Sequence, residues 1–176
     1  MRRLFIATFI ALLSCITLSA QSHGKFELGA GYSPLSCVYV DDAAMQIWGV
    51  AAFAEYRFCI SKHLEAGAKF DYKFGMMTWD RTAHSYGLIG VSDFKILPGK
   101  KVNPFIGIGL GGGIGFHNDT SDGKYYPEAF ACGYPRIGLE IAKHLRLSLE
   151  MDLSYYKGQF PGRRYSPICF NAGWVF

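Results

Sequence analysis

The 176 residues suit a single domain, rich in glycine (21 residues) and aromatic side chains (16%), with a charged fraction of 18% that lies below the usual quarter. The formal charge of +4 includes Arg2 and Arg3; without them the 18 basic side chains become 16, against 14 acids. That balance excludes the strongly basic surface that a nucleic-acid partner requires.

Residues 1–20 read as a secretory signal peptide. Met1-Arg2-Arg3 is a positive start, Leu4 to Leu13 is apolar, and Leu18-Ser19-Ala20 ends in a small residue. Two other readings exist. Leu4 to Ala20 is seventeen residues, the lower edge of a membrane anchor, and Leu12-Leu13-Ser14-Cys15 resembles a lipobox. The polar lead-in Gln21-Ser22-His23-Gly24 favours cleavage after Ala20 over an anchor, and the apolar continuation Ile16-Thr17-Leu18 argues against lipidation. Residues 21–176 are then the mature domain.

Its first strand runs from Lys25 to Tyr32, with Phe26, Leu28, Ala30 and Tyr32 on one face. Pro34 to Ala44, containing Cys37, Asp41 and Asp42, reads as a loop. The second strand sets Trp48, Val50, Ala52, Ala54, Tyr56 and Phe58 against Gly49, Ala51, Phe53, Glu55 and Arg57. After a tight connection at Ser61-Lys62, the third alternates Leu64, Ala66, Ala68, Phe70, Tyr72 and Phe74 with Glu65, Gly67, Lys69, Asp71 and Lys73. Met76 to Arg81 reads as a second loop. The fourth strand, roughly His84 to Ile96, fits least well, because Ile89 and Val91 share the face of Asp93 and Lys95; a bulge would restore the pattern.

Past the turn Leu97-Pro98-Gly99-Lys100, the fifth strand carries Ile106, Ile108, Leu110, Ile114 and Phe116 opposite Gly107, Gly109, Gly111, Gly113 and Gly115. A phosphate-binding loop is excluded, since no helix-forming segment follows and the Gly-Lys-Ser/Thr signature is absent. Period-two glycines instead suit a strand that yields space to bulky neighbours. His117 to Pro127 reads as a loop with an Asp122-Gly123 turn; Asn118, Thr120 and Asp122 echo a calcium loop, but Glu128 is misplaced for its bidentate ligand. The sixth strand, Ala129 to Ile141, contains Pro135, which a bulge would accommodate. Lys143-His144 turns into Leu145 to Tyr156, twelve residues of strict alternation with Arg146, Ser148, Glu150, Asp152 and Ser154 on one face. A polar loop with Arg163 and Arg164 precedes the eighth strand, Ile168 to Phe176.

Eight strands with short connections after the second, fourth and sixth, and longer ones elsewhere, predict an all-β, eight-stranded antiparallel up-and-down transmembrane β-barrel. The apolar faces agree. Tyr32, Trp48, Tyr72, Tyr86, Phe116 and Tyr155 fall at one end and Phe26, Phe58, Phe94, Trp174 and Phe176 at the other, with small or aliphatic residues between, as two bilayer interfaces require. The opposite faces put Glu27, Glu55, Glu65, Asp71, Asp93, Glu140, Glu150 and Asp152 in the lumen with Lys25, Arg57, Lys69, Lys73, Lys95, Arg136 and Arg146. Buried charges must pair, and eight strands enclose little more than side chains, so a plugged lumen is expected rather than an open pore. Asp41, Trp79, Asp122 and Arg163 are expected outside, and Lys62, Lys100 and Lys143 in the periplasm.

The segments Asn103-Pro104-Phe105-Ile106-Gly107 with its glycine run, Tyr134-Pro135-Arg136-Ile137-Gly138-Leu139-Glu140 and the aromatic last strand carry a resemblance. From Lys25 to Phe176 the chain resembles the small outer-membrane β-barrel domain family, of the eight-stranded OmpA/OmpX-like or PorT-like kind. The resemblance implies residence in the outer membrane of a Gram-negative envelope, and a terminal strand whose Trp174 and Phe176 are read by the barrel-assembly machinery.

Candidate chemistry is sparse. Cys37, Cys59, Cys132 and Cys169 lack metal-type spacing; a Cys37–Cys169 bridge at the outer rim is open, and unpaired thiols are the default. His84-Ser85 is the adjacent His/Ser pair, with no acid placed to orient it, and His117 is the other rim histidine considered. Arg163, Arg164 and Lys124 could meet anionic lipopolysaccharide. No catalytic, cofactor-binding or metal-ligating residue is expected. The leading expectation is a monomeric, non-enzymatic barrel with a structural or surface-interaction role, surrounded by outer-membrane lipids and lipopolysaccharide. The alternatives are a lipid-modifying enzyme, a small channel or a secreted lipocalin-like carrier.

Overall fold

In the computed structural model, which describes residues 24–40, 43–78, 81–119, 124–157, 164–165 and 168–176, the alternating segments form strands and no helix. They are β1 (Lys25–Val40), β2 (Ala43–Cys59), β3 (Leu64–Thr78), β4 (Arg81–Lys95), β5 (Val102–Asp119), β6 (Lys124–Ile141), β7 (Leu145–Met151), β8 (Leu153–Lys157), β9 (Arg164–Tyr165) and β10 (Ile168–Val175). Neighbours pair antiparallel, and β10 returns to β1, so the sheet has no open edge. Both β7 and β8 pair with β6, and both β9 and β10 pair with β1. Each couple is therefore one interrupted wall strand, and the barrel has eight. Closure is what allows such a sheet to stand in hydrocarbon, where an unpaired backbone group costs several kcal/mol.

The registers fix the barrel's geometry. Paired residues lead once round the wall from Leu28 through Ala54, Phe70, Leu88, Gly112, Ala131, Tyr155 and Arg164 back to β1 at Tyr39. From 28 to 39 is eleven residues, one of them the extra residue of a β1 bulge between Ser33 and Ser36, so the shear is ten. Eight strands about 4.8 Å apart, rising about 3.3 Å per residue, then tilt by roughly 40°, as membrane barrels do. Pro34 sits in that bulge, where a missing N–H is tolerated.

Side-chain burial is inside out relative to a water-soluble protein. Leu88 and Leu110 on the outer face are each 65% exposed, whereas Glu55 and Arg57 in the lumen are 2% and 1% exposed. Tyr32, Trp48, Tyr86 and Tyr155 ring the outer face at the hairpin end, and Phe26, Phe94, Trp174 and Phe176 ring it at the turn end. Both expected girdles are therefore present.

Four local expectations are corrected. The β3–β4 and β4–β5 ladders run unshifted from Ala83 to Lys95, so the fourth strand has no bulge at 89–91; Ile89 and Val91 point into the lumen and are buried there. Pro135 is likewise not in a bulge, since β5–β6 keeps one register throughout. Instead, the pairing of β6 with its other neighbour opens at Tyr134 and Pro135, facing Met151 and Asp152, and resumes in the same register. A residue without an N–H opens the ladder without shifting it. The twelve-residue strand is accordingly broken at Asp152. Finally, most of 34–44, 76–81 and 117–127 is strand, not loop: β1 and β2 pair out to Val40 and Ala43, and β5 and β6 to Asp119 and Lys124. A ladder held by backbone bonds needs no apolar face once it is in water. The tips expected outside, at Asp41, Trp79, Asp122 and Arg163, lie outside the described residues, as does the signal segment.

Candidate functional site

The parity that sends apolar side chains outward packs the lumen with charge. At its centre Arg136 is clamped on two sides. Nη1 and Nη2 donate to Glu55 at 2.7 and 2.9 Å, while Nε and Nη2 donate to Asp93 at 2.7 and 2.8 Å. Arg57 donates to Glu27 at 2.6 Å and Glu65 at 3.2 Å. Arg146 also donates to Asp93, and its guanidinium lies 3.6 Å from the centre of the Phe105 ring. Planar guanidinium forks satisfy several carboxylates at once, as paired burial of charge demands.

Toward the turn end, Lys25 and Lys95 meet Glu65 at 3.2 and 2.6 Å and Glu140 at 2.9 and 3.1 Å. Toward the hairpin end, Lys69 binds Glu150 at 2.6 Å. Lys73 binds Asp152 at 2.6 Å and Asp71 at 3.3 Å and donates to the Tyr134 hydroxyl, which itself donates to Asp152 at 2.9 Å. The expected lumen acids and bases all take part, and Glu128 joins the buried charges because β6 begins earlier than its hydropathy suggests.

Beside this network lies an apolar layer of Ile89, Val91, Phe130, Cys132, Tyr134 and Tyr156. The glycine run makes it possible. A Cβ on Gly109 would stand 2.8 Å from Ile89, one on Gly113 2.8 Å from Phe130, and one on Gly115 2.7 Å from Tyr156. Charge pairs and this layer together plug the barrel.

The histidine–serine pair is not a catalytic dyad. Adjacent strand residues point to opposite faces. His84 belongs to the outer face, where its Nδ1 shares a 2.7 Å hydrogen bond with the Tyr72 hydroxyl and its ring packs on Phe74 and Tyr125. Ser85 belongs to the lumen side of the same strand. The side chains of His117, Lys124, Arg163 and Arg164 lie outside the described residues. Cys169 is a free thiol that donates to Asn171 inside the barrel, so the Cys37–Cys169 bridge does not form. Among the described residues no cluster of His, Cys, Asp or Glu could hold a metal ion. On the outer wall lies a shallow apolar depression of about 970 Å³, lined by Ala30, Tyr32, Ile137, Leu147, Phe170 and Ala172.

No family model and no curated protein sequence matches the chain. Solved structures do. Neisserial surface protein A aligns at a TM-score of 0.61 with 9% identity, covering 87% of this chain and 97% of its own. The attachment invasion locus protein Ail of Yersinia pestis aligns at 0.55 with 13% identity, covering 88% and 99%. The outer membrane enzyme PagL aligns at 0.53 with 12% identity, covering 84% and 97%. Such identities speak to fold and not to activity. With its closed eight-stranded wall, outward-facing aromatic girdles and charged lumen, the chain has the fold of these small outer-membrane β-barrels.

Proposed function

We propose that this barrel is a plugged, non-enzymatic outer-membrane protein that makes its functional contacts through the hairpin end. The observation that carries this reading is a surplus of strand. β1, β2, β5 and β6 have 16, 17, 18 and 18 residues, where roughly nine to eleven cross a bilayer. At a 40° tilt each surplus residue adds about 2.5 Å along the barrel axis, so six to eight of them raise the hairpins roughly 15–20 Å above the bilayer. Ladder pairing to within a few residues of the tips makes these projections stiff, which suits presentation of a surface. A packed lumen supports this reading over a channel, and the separation of His84 from Ser85 supports it over the lipid-modifying alternative. Two barrels of this fold, one named a surface protein and one an attachment protein, show that the frame hosts such roles.

On the same reading, lipopolysaccharide surrounds the hairpin end, and β10 with Trp174 and Phe176 is the segment that the assembly machinery recognises. The test is to replace 38–45 and 118–125, which leaves the pairs Cys37–Gln46 and His117–Tyr126, by two-residue Asn-Gly turns. The trimmed barrel is expected to remain heat-modifiable on a gel while cells carrying it lose binding to immobilised glycans and matrix proteins. Unchanged binding, or release of fatty acid from outer-membrane lipid by the purified full-length barrel, would overturn the proposal.

A further inference from the structure

The three turns at the other end of the barrel share a composition. Residues 60–63, 96–101 and 142–144 carry Lys62, Lys100, Lys101 and Lys143, all exposed, together with His63 and His144, and contain no carboxylate. The acids nearest in sequence, Glu65, Asp93 and Glu140, are turned into the lumen and paired there. The same turns expose apolar side chains: Ile60 at 57%, Ile96 at 51% and Leu97 at 48%. Lysines beside exposed aliphatics, directly below a lipid-facing wall, match the layer where acyl chains give way to headgroups.

Two of the turns are built alike. His63 stacks on Phe94 with ring centres 5.5 Å apart and planes at 15°; His144 stacks on Trp174 at 5.5 Å and 12°. The His63 carbonyl accepts from Lys95 N at 2.6 Å, and its Nδ1 donates to the Lys95 carbonyl at 2.9 Å. The His144 carbonyl accepts from Val175 N at 2.7 Å, and its Nδ1 donates to the Val175 carbonyl at 3.1 Å. Each turn is thereby fastened to a girdle aromatic, which holds the neighbouring Lys62 or Lys143 at the interface. The 142–144 turn also keeps Ala142 and Lys143 at φ of 51° and 68°, a left-handed conformation that glycine or asparagine would adopt at lower cost.

From this charge complementarity, and from its continuity with the lipid-facing wall, we infer that the turn end is a binding rim for anionic glycerophospholipid, with Lys62, Lys100, Lys101 and Lys143 engaging headgroup phosphates while Ile60, Ile96 and Leu97 enter the acyl layer. In the cell this rests on the proposed orientation, which puts the rim in the periplasmic leaflet. The lipid test itself does not, because it uses a symmetric bilayer.

The experiment places the full barrel in phosphatidylcholine nanodiscs containing phosphatidylglycerol and counts retained lipids by native mass spectrometry. Wild type is expected to retain phosphatidylglycerol over phosphatidylcholine by at least about tenfold, with the preference falling in 0.5 M salt. The variant carrying Lys62→Gln, Lys100→Gln, Lys101→Gln and Lys143→Gln, all solvent-exposed changes, is expected to lose the preference. Arg164→Gln, on β9 at the opposite end, is expected to keep it. Equal retention by wild type and the fourfold variant would overturn the inference. Displacement of the lipid by millimolar glycerophosphate would overturn it in favour of a free-phosphate site. Orientation is read separately: labelling of Lys62→Cys on intact cells would refute the periplasmic placement and leave the lipid result standing.

Discussion

Replacing Arg136 by methionine removes a guanidinium that is 3% exposed and makes four charge-assisted hydrogen bonds of 2.7–2.9 Å, two to Glu55 and two to Asp93. Methionine preserves most of the volume, so the change isolates charge. Removing one partner of a buried ion pair costs about 3–5 kcal/mol, mainly because the remaining charge is left uncompensated. Here the compensation is partial. Glu55 keeps Arg57 Nε at 3.1 Å, and Asp93 keeps its bond to Arg146, so the loss is expected near the lower bound, about 3 kcal/mol. Adding Glu55→Gln deletes one stranded carboxylate. The double variant should therefore be more stable than the two single losses added together, by about 1 kcal/mol or more. Urea unfolding of barrels refolded in lipid vesicles, followed by the fluorescence of outward-facing Trp48 and Trp174, measures all four corners of the cycle. A single-variant loss below about 0.5 kcal/mol, or strict additivity, would mean that water screens the network and that the lumen is not a dry plug.

Leu88, at the middle of β4 and fully on the lipid face, predicts a loss of about 2–4 kcal/mol on Leu88→Arg, against well under 1 kcal/mol for Ser148→Ala on the lumen side; the same urea titration reads both. Gly109→Ala is expected to cost about 1–3 kcal/mol by driving a Cβ into Ile89, and Ile89→Ala in the same chain should recover part of that loss, as a thermal melt in micelles would show. Phe176 is 68% exposed and adds one ring contact, to Phe26. Phe176→Ala should therefore refold almost normally in micelles, yet accumulate in the periplasm or be degraded in cells, which fractionation and refolding yields report.

Much of the wall could be read directly, because membrane strands impose period two on both faces. Leu145 to Tyr156 and the lumen charges were assigned from parity alone. Even the separation of His84 from Ser85 follows from parity, since adjacent strand residues diverge. Ile89 and Val91 depart from the expectation because a lumen face need not be polar. The corrective signal lay on the next strand, where Gly109 and Gly111 pair with Val91 and Ile89 and leave room for apolar bulk. Strand ends at 34–40 and 117–119 escape the hydropathy pattern for a different reason: on the proposed reading they stand above the bilayer, where no lipid selects an apolar face. Partners such as Arg136 and Glu55, 81 residues apart, become neighbours only after the five strands β2 to β6 have paired in register. That is a property of shear, to which local pattern is blind.

The glycine face of β5 bears on how such a barrel could acquire a conduit. From Gly107 to Gly115 this wall has only backbone on its inner side, so it has nothing to fold inward if material opposite is removed. Truncating Ile89, Val91, Phe130 and Tyr134 would leave a hollow running beside a surface that cannot collapse into it, since residual cavity volume depends on what can relax. Few substitutions therefore separate a solid stave from a water-filled seam, and with Tyr156 against Gly115 they lie on β4, β6 and β8. The bulky residues facing β5 act as a stopper that, together with the charge pairs, keeps this small barrel closed.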